Sequence, residues 1–188
     1  SGEFSPGRSA SYHRQDFDTT EYPYFAMLDE EEKDAYSQIC EEVSAGKATV
    51  RVKTGIESNQ LSRVVNAVQN DHPEFFWLGN SYEYSYGSSD QLIRTIVFEF
   101  CDFADTPEKL ESAKAEFDAA ARTILAGARS NPAEIDRELY VHDYICRTTV
   151  YDELAPYNQS AYSVLVNHRS VCSGYSRAIQ YLLHELGI

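Results

Sequence analysis

Apolar positions along this chain follow two different periods, and the change between them divides it into two regions. Between Glu21 and Phe103, short alternating runs typical of strands mix with helical spacing, which predicts a small α/β module. From Thr106 onward the spacing is mainly helical. We therefore predict an α+β fold, with an N-terminal module over 21–104 and a second domain over 105–188. The polar residues 1–20 are interpreted as a tag or linker.

The predicted module opens with an acidic helix that Asp29 caps. Residues 48–53 alternate and predict a short strand, and Ser58 then caps a second helix. That helix has one apolar face, formed by Leu61, Val64, Val65 and Val68. The dipeptides Gly79-Asn80 and Gly87-Ser88 separate the β-like runs that follow, which predicts a hairpin or meander. These runs cover 75–78, 82–86 and 92–100, and the middle one carries Tyr82, Tyr84 and Tyr86. We expect this tyrosine row to pack against the second helix. The less common alternative is an exposed row that stacks on sugars or clasps an extended peptide.

Two proline-started helices are predicted in the second region. The first begins at Thr106-Pro107 and ends at Gly127, and the second begins at Asn131-Pro132 with a capping box. The first helix is expected to bury Leu110, Ala113, Phe117, Ala120 and Ile124; the second, Ile135, Leu139, His142 and Ile145. Residues 151–168 are predicted to be mostly loop, with a short helix over 161–166.

A strongly amphipathic helix is predicted from Ser173 to Leu186, with Gly187 as its stop. The apolar Ile188 directly after that stop is typical of the first residue of a strand, so we interpret the chain as cut short here. The sheet expected to cover this helix would then be missing, which favours association as a homodimer. The face concerned carries Ala178, Ile179, Leu182 and Leu186.

Composition narrows the classes of function. The chain has 30 acidic and 16 basic residues and a net charge of -14, which excludes a phosphate-neutralising nucleic-acid binder. No apolar run approaches the ~18 residues that a transmembrane segment needs. Four widely spaced cysteines, without a CxxC pair, predict neither a metal site nor a disulfide scaffold. No cofactor is implied.

One cysteine stands out by its position. Cys172 lies at the predicted start of the last helix, where unpaired backbone N–H groups and the helix dipole stabilise a thiolate. The same N–H groups can stabilise an oxyanion during attack on a carbonyl. The small neighbours Ser173 and Gly174 are expected to leave room for a substrate backbone, with Tyr175 beside them. By position alone, a structural cysteine is the more common outcome.

The segment from Tyr140 to Ile188 resembles the first half of the bacterial transglutaminase-like core. The matching elements are a His-Asp helix, a Tyr-Asp pair, a Ser-Ala-Tyr-x-x-Leu stretch and Val-Cys-x-Gly-Tyr before a long helix. The resemblance implies the helical half of a papain-like fold, with Cys172 as the nucleophile. It also suggests Gln159 as an oxyanion or cleft residue, although a surface glutamine is the more common outcome.

In the family, the catalytic His and Asp lie in two segments that follow the nucleophile helix. Neither of these segments occurs in the 188 residues given. His184 lies 12 residues along the same helix, roughly 18 Å away. His168 can at best border the cleft, His142 is expected to be a packed core imidazole, and His72 belongs to a turn, while His13 lies in the excluded tail. We therefore expect this chain alone to be inactive.

The resulting hypothesis is a fragment of a transglutaminase-like cysteine enzyme that acts on a protein or peptide substrate through an acyl-thioester. By analogy with bacterial relatives, we favour a peptidase or hydrolase over a cross-linking enzyme. The alternative is a non-catalytic module that binds peptide or glycan at the bacterial cell envelope. Either version suggests an extracellular or envelope location.

Overall fold

The computed structural model describes residues 14–188, which form an α+β fold with two compact units. The N-terminal unit comprises 14–71 together with 79–99. The helical unit comprises 72–78 together with 100–188. The sequence-based prediction for residues 1–13 lies outside the described residues.

Four helices and three strands follow one another from the N-terminal side: α1 (Pro23–Ala26), α2 (Glu30–Ser44), β1 (Thr49–Ile56), α3 (Ser58–Asp71), β2 (Leu78–Tyr86), β3 (Ile93–Phe100) and then α4 (Pro107–Arg129). The chain continues as α5 (Glu134–Thr148), β4 (Val150–Tyr151), α6 (Ala161–Leu165), β5 (Arg169–Ser170) and α7 (Cys172–Glu185). A short 3-10 turn, Asp102–Ala104, precedes α4.

In the N-terminal unit, α2 and α3 provide much of the buried core beside the three-stranded sheet. The strand order is β1-β3-β2, with β1 antiparallel to β3. The predicted apolar face of α3 is confirmed, because all four of its residues are buried. Asp71, the buried last residue of α3, accepts hydrogen bonds from the Tyr36 hydroxyl and the Phe25 amide at 2.8 Å each. Residues 14–20 also pack on this unit, since the Phe17 ring lies 5.1 Å from that of the buried Tyr36, centre to centre, and Arg14 pairs with Glu30 at 2.8 Å.

The predicted burial of the tyrosine row on β2 is only partly right. Tyr82 is half-buried and lies 5.9 Å from Phe98, ring centre to ring centre. Tyr84 and Tyr86 are instead 43% and 55% exposed, with their rings edge to face at 5.8 Å. β2 is an edge strand of the sheet. The two rings lie toward the end of this strand, where its residues are mostly exposed.

In the helical unit, α4 buries the predicted stripe, except that Ala121 rather than Ala120 is fully covered. Phe76 stacks on Phe117 with ring centres 4.5 Å apart, and on Tyr162 at 5.1 Å. Phe76 and Trp77, predicted as part of a strand, thus form a turn and pack as core side chains, and Phe75 before them is half-buried.

Gly127 does not end α4 as predicted, because the helix continues to Arg129. A Cβ at Gly127 would lie 1.9 Å from the Tyr140 hydroxyl, so this glycine allows α4 and α5 to approach closely. The predicted capping box of α5 is also wrong. Its N-cap is Ala133, and the Asn131 side chain donates to two carbonyls at the end of α4 instead.

The predicted buried face of α5 is wrong except at Ile145. The helix buries Val141 and Ile145, whereas Ile135 and Leu139 are 60% and 51% exposed. The His142 side chain, expected in the core, is 60% exposed. The apolar residues of α5 lie on two faces, and the neighbouring helices cover only the one with Val141.

Candidate active site

Cys172 is the first residue of α7 and its thiol is exposed. The N-cap residue, Val171, has an extended backbone and makes no side-chain cap. The N–H groups of the first turn are therefore not occupied by a capping oxygen from Val171. This places a sulfur atom at the positive end of a 14-residue helix, as the sequence predicts.

Buried serines hold the segment that leads into Cys172. The Ser170 hydroxyl donates to the Asn158 carbonyl at 2.7 Å and lies 2.8 Å from the Ser163 hydroxyl. The Val171 amide donates to the same carbonyl at 3.1 Å. Ser163 and Ser170 are fully buried, so water does not compete for these bonds. The position of the Cys172 backbone is consequently set by the loop at Asn158.

Gly174 is buried against this loop. A Cβ at Gly174 would lie 1.9 Å from the Ser170 hydroxyl oxygen and 2.7 Å from the Asn158 carbonyl oxygen. The missing side chain thus makes room for the protein's own backbone, rather than for a substrate as the sequence suggested. Ser173 is half-buried beside it.

Two tyrosine hydroxyls lie near the sulfur. Tyr151, on β4, pairs with Ser170 of β5 in parallel register, and its hydroxyl donates to the Glu153 carboxylate at 3.5 Å. Loss of solvent, followed by the charge of the Cys172 sulfur, raises the pKa of Tyr151. The Tyr175 hydroxyl donates to the Thr149 carbonyl at 3.0 Å. Burial, followed by the charges of Cys146 and Cys172, raises the pKa of Tyr175.

Sequence reasoning did not select Tyr151 as a site residue. The Tyr-Asp pair was available as a signal, because it belongs to the segment that carries the family resemblance. Its position next to Cys172 depends on the two-stranded β4–β5 pairing. That pairing has only two residues in each strand, too short for a periodic pattern to reveal.

The histidines near this region contact other groups. His142 Nε2 lies 3.8 Å from the Cys146 sulfur, and its Nδ1 lies 3.3 Å from the Asp143 carboxylate. His168, with a positive φ of 59°, lines a cavity of about 220 Å³ beside Tyr144 and Ile145. His184 is in the last turn of α7, roughly 18 Å along the helix from Cys172.

Folding brings Gln159 next to the first turn of α7, although 13 residues separate it from Cys172. Its neighbour Asn158 accepts from Val171, and the Gln159 carbonyl itself accepts from Arg177 at 3.1 Å. Burial lowers the pKa of Arg177. Gln159 is exposed, and its contact with α7 is made by the backbone carbonyl rather than by the side-chain amide.

The face of α7 predicted to be uncovered is largely covered by the chain itself. Ala178 and Leu182 are fully buried, and Ile179 and Leu186 are half-buried. α7 packs on α6 and α5, which supply the cover expected from a sheet. Exposed apolar side chains occur instead on and after β4, beside the cysteine: Val150 (56%), Tyr151 (54%) and Leu154 (94%).

Residues 14–188 contain no group of three or more His, Cys, Asp or Glu side chains placed to hold a metal ion. None of the helices in the same part of the chain has the length and apolar character needed to cross a bilayer. No known family model matches this chain, and no curated protein sequence matches it either.

Proposed function

We propose that Cys172 is the nucleophile of a transglutaminase-like cysteine enzyme that acts on peptide or carboxamide carbonyls. The observation that carries this proposal is an exposed thiol at the start of α7, held by a buried serine network and left without a side-chain cap. The resemblance of residues 140–188 to the nucleophile half of that family supports the same assignment.

In the proposed reaction, the Cys172 thiolate attacks the carbonyl carbon of the substrate. The backbone N–H groups of the first turn of α7 stabilise the developing oxyanion. The carbon–nitrogen bond then breaks, the amine leaves with a proton, and an acyl-thioester remains on the sulfur. Water completes hydrolysis, or a second amine completes transfer. We favour hydrolysis by analogy, because many bacterial members of the family that this segment resembles look more like hydrolases than cross-linkers.

A general base must take the thiol proton, and a general acid must protonate the leaving amine. Within residues 14–188 the hydrogen-bonding contacts of His142 are with Cys146 and Asp143, and loss of solvent followed by the charge of Cys172 raises the pKa of Tyr151. A phenol with a raised pKa stays protonated at neutral pH and is a poor base. We therefore expect this chain to form an acyl adduct with activated substrates but to turn over slowly.

The proposal is tested by alkylation of the Cys146→Ser variant, in which Cys172 is the single exposed thiol among the described cysteines. Iodoacetamide at pH 6.5 should label Cys172 about tenfold faster in the folded chain than in urea, because the helix N-terminus favours the thiolate. A peptide p-nitrophenyl ester should leave an acyl mass on Cys172. Equal labelling rates in both states, together with no acyl adduct, would contradict the proposal.

A second candidate function is a non-catalytic module that holds peptide or glycan. The observation that favours it is the exposed pair Tyr84 and Tyr86 on an edge strand, since exposed aromatic rings can stack on sugars. Binding of soluble peptidoglycan fragments that the Tyr84→Ala/Tyr86→Ala variant loses, while Cys172→Ser keeps it, would favour this module over the enzyme.

A further inference from the structure

A second exposed cysteine, Cys146, belongs to a short chain of interacting side chains on α5. Its sulfur lies 3.8 Å from Nε2 of His142, one helical turn earlier. Nδ1 of the same ring lies 3.3 Å from a carboxylate oxygen of Asp143. Nucleophile, imidazole and carboxylate are therefore connected in the order that thiol activation requires.

We propose that Cys146 is a second reactive thiol, in which His142 accepts the thiol proton, Asp143 orients the imidazole, and low-molecular-weight disulfides are the co-reactants. A carboxylate next to Nδ1 favours the tautomer with its proton on Nδ1, which leaves Nε2 as the acceptor toward sulfur. This assignment does not depend on the function proposed for Cys172.

The surroundings of the pair leave it accessible. The side chains of His142 and Asp143 are 60% and 69% exposed, and Leu139 on the same face is 51% exposed. A small neutral molecule can therefore reach the sulfur without any movement of the core.

The reaction is a thiol–disulfide exchange. The Cys146 thiol transfers its proton to Nε2 of His142, and the thiolate attacks one sulfur of the small disulfide. A new sulfur–sulfur bond forms on Cys146 as the bond in the reagent breaks. The second sulfur leaves as a thiolate and takes the proton back from His142. One mixed disulfide and one small thiol result, with no net redox change.

The test uses the Cys172→Ser variant with bis(2-hydroxyethyl) disulfide at pH 7, followed by peptide mass spectrometry. Mixed disulfide should form at Cys146, while the buried Cys40 and Cys101 serve as internal controls that stay unmodified. Adding His142→Gln should slow the reaction about tenfold, since an ordinary thiol is only a few per cent thiolate at this pH. Asp143→Asn should slow it about threefold.

His184→Gln, a change of the same type in the last turn of α7, is the matched control and should leave the rate unchanged. Circular dichroism and the melting temperature should be the same for all these variants, because the changed side chains are exposed. A Cys146 rate equal to that of the urea-unfolded chain, or a His142→Gln rate equal to that of the control, would overturn the proposal.

Discussion

Two helices of this protein begin in opposite ways. α2 starts at Asp29, whose carboxylate accepts from the Glu32 amide at 2.8 Å while the Glu32 side chain accepts from the Asp29 amide. α7 starts at Val171, which offers no oxygen, and Cys172 is its first residue. In α2 the terminal N–H groups are used for stability. In α7 no N-cap side chain occupies them, which is the arrangement that the proposed chemistry at Cys172 requires.

The largest effect expected at the start of α7 is that of Gly174→Ala. Alanine normally stabilises a helix interior relative to glycine, but here its Cβ would collide with the Ser170 hydroxyl and the Asn158 carbonyl. We expect a loss of about 3 kcal/mol in the free energy of unfolding, measured in urea. Ser176→Ala, at an exposed position of the same helix, is the control. A stabilised Gly174→Ala variant would show that the loop at Asn158 does not pack as described.

At the other helix, Asp29→Ala should remove the capping box of α2. The unfolding free energy should fall by about 1 kcal/mol. Burial opposes ionisation of Asp29, but bonds from Glu32 and Gln60 and the charge of Arg63 outweigh it and lower its pKa. The contribution of the Asp29 carboxylate to the free energy of unfolding is therefore present above pH ~4 and is lost as the pH falls through its lowered pKa.

The variant's stability should accordingly depend less on pH than that of the parent chain between pH 5 and 3, as urea titrations at several pH values would show. Asp18→Ala is a useful comparison, because Asp18 also accepts backbone bonds but caps no helix of the described chain. Identical pH profiles for Asp29→Ala and the parent would contradict a role for this cap.

Val171→Thr tests whether α7 can be made to resemble α2. Threonine has nearly the shape of valine and can accept from the first-turn N–H groups, so we expect a gain of about 0.5 kcal/mol in the unfolding free energy. Alkylation of Cys172 should slow about twofold, because the new cap competes for the same N–H groups. Val166→Thr, outside the first turn of α7, is the control for the added hydroxyl. A faster alkylation would indicate that these N–H groups do not act on the sulfur.

The smallest effect concerns Tyr151. The pKa of Tyr151 is raised in the folded chain. The contribution of this phenol to the free energy of unfolding is therefore fully present below pH ~10 and is lost as the pH rises through the raised pKa. Tyr151→Phe should change the rate of Cys172 alkylation at pH 7 by about twofold. The difference absorbance of the Tyr151 phenolate should shift to lower pH in Cys172→Ser. No shift would mean that the sulfur does not influence this hydroxyl.

Much of the local structure could be predicted because it depends on residues close together in sequence. The Asp29 cap, the α3 face and the start of α7 are all confirmed, the last within one residue. The stop at Gly187 is also confirmed, by its positive φ of 75°. Each of these features follows from one or two helical turns, in which periodicity and capping chemistry act directly.

The features that could not be predicted all depend on distant partners. Gly127 was predicted to end a helix because glycine often follows the last helical residue. In the structure it lies inside α4, where the absence of a side chain leaves room for Tyr140. His142 follows the spacing of a buried face, yet burial occurs on the face of Val141 and Ile145. A one-dimensional pattern cannot say which of two apolar faces another helix will cover.

The sequence by itself determined the α+β class and a cysteine at the start of an amphipathic helix, because dihedral preferences and periodicity are local properties. Only the tertiary structure decided what surrounds that sulfur. Tyr151 and Asn158 are brought to the start of α7 because β4 pairs with β5, the Val171 amide donates to Asn158, and α7 packs on α5 and α6. Contacts of this kind depend on which surfaces exclude water together, and that is a property of the whole folded unit.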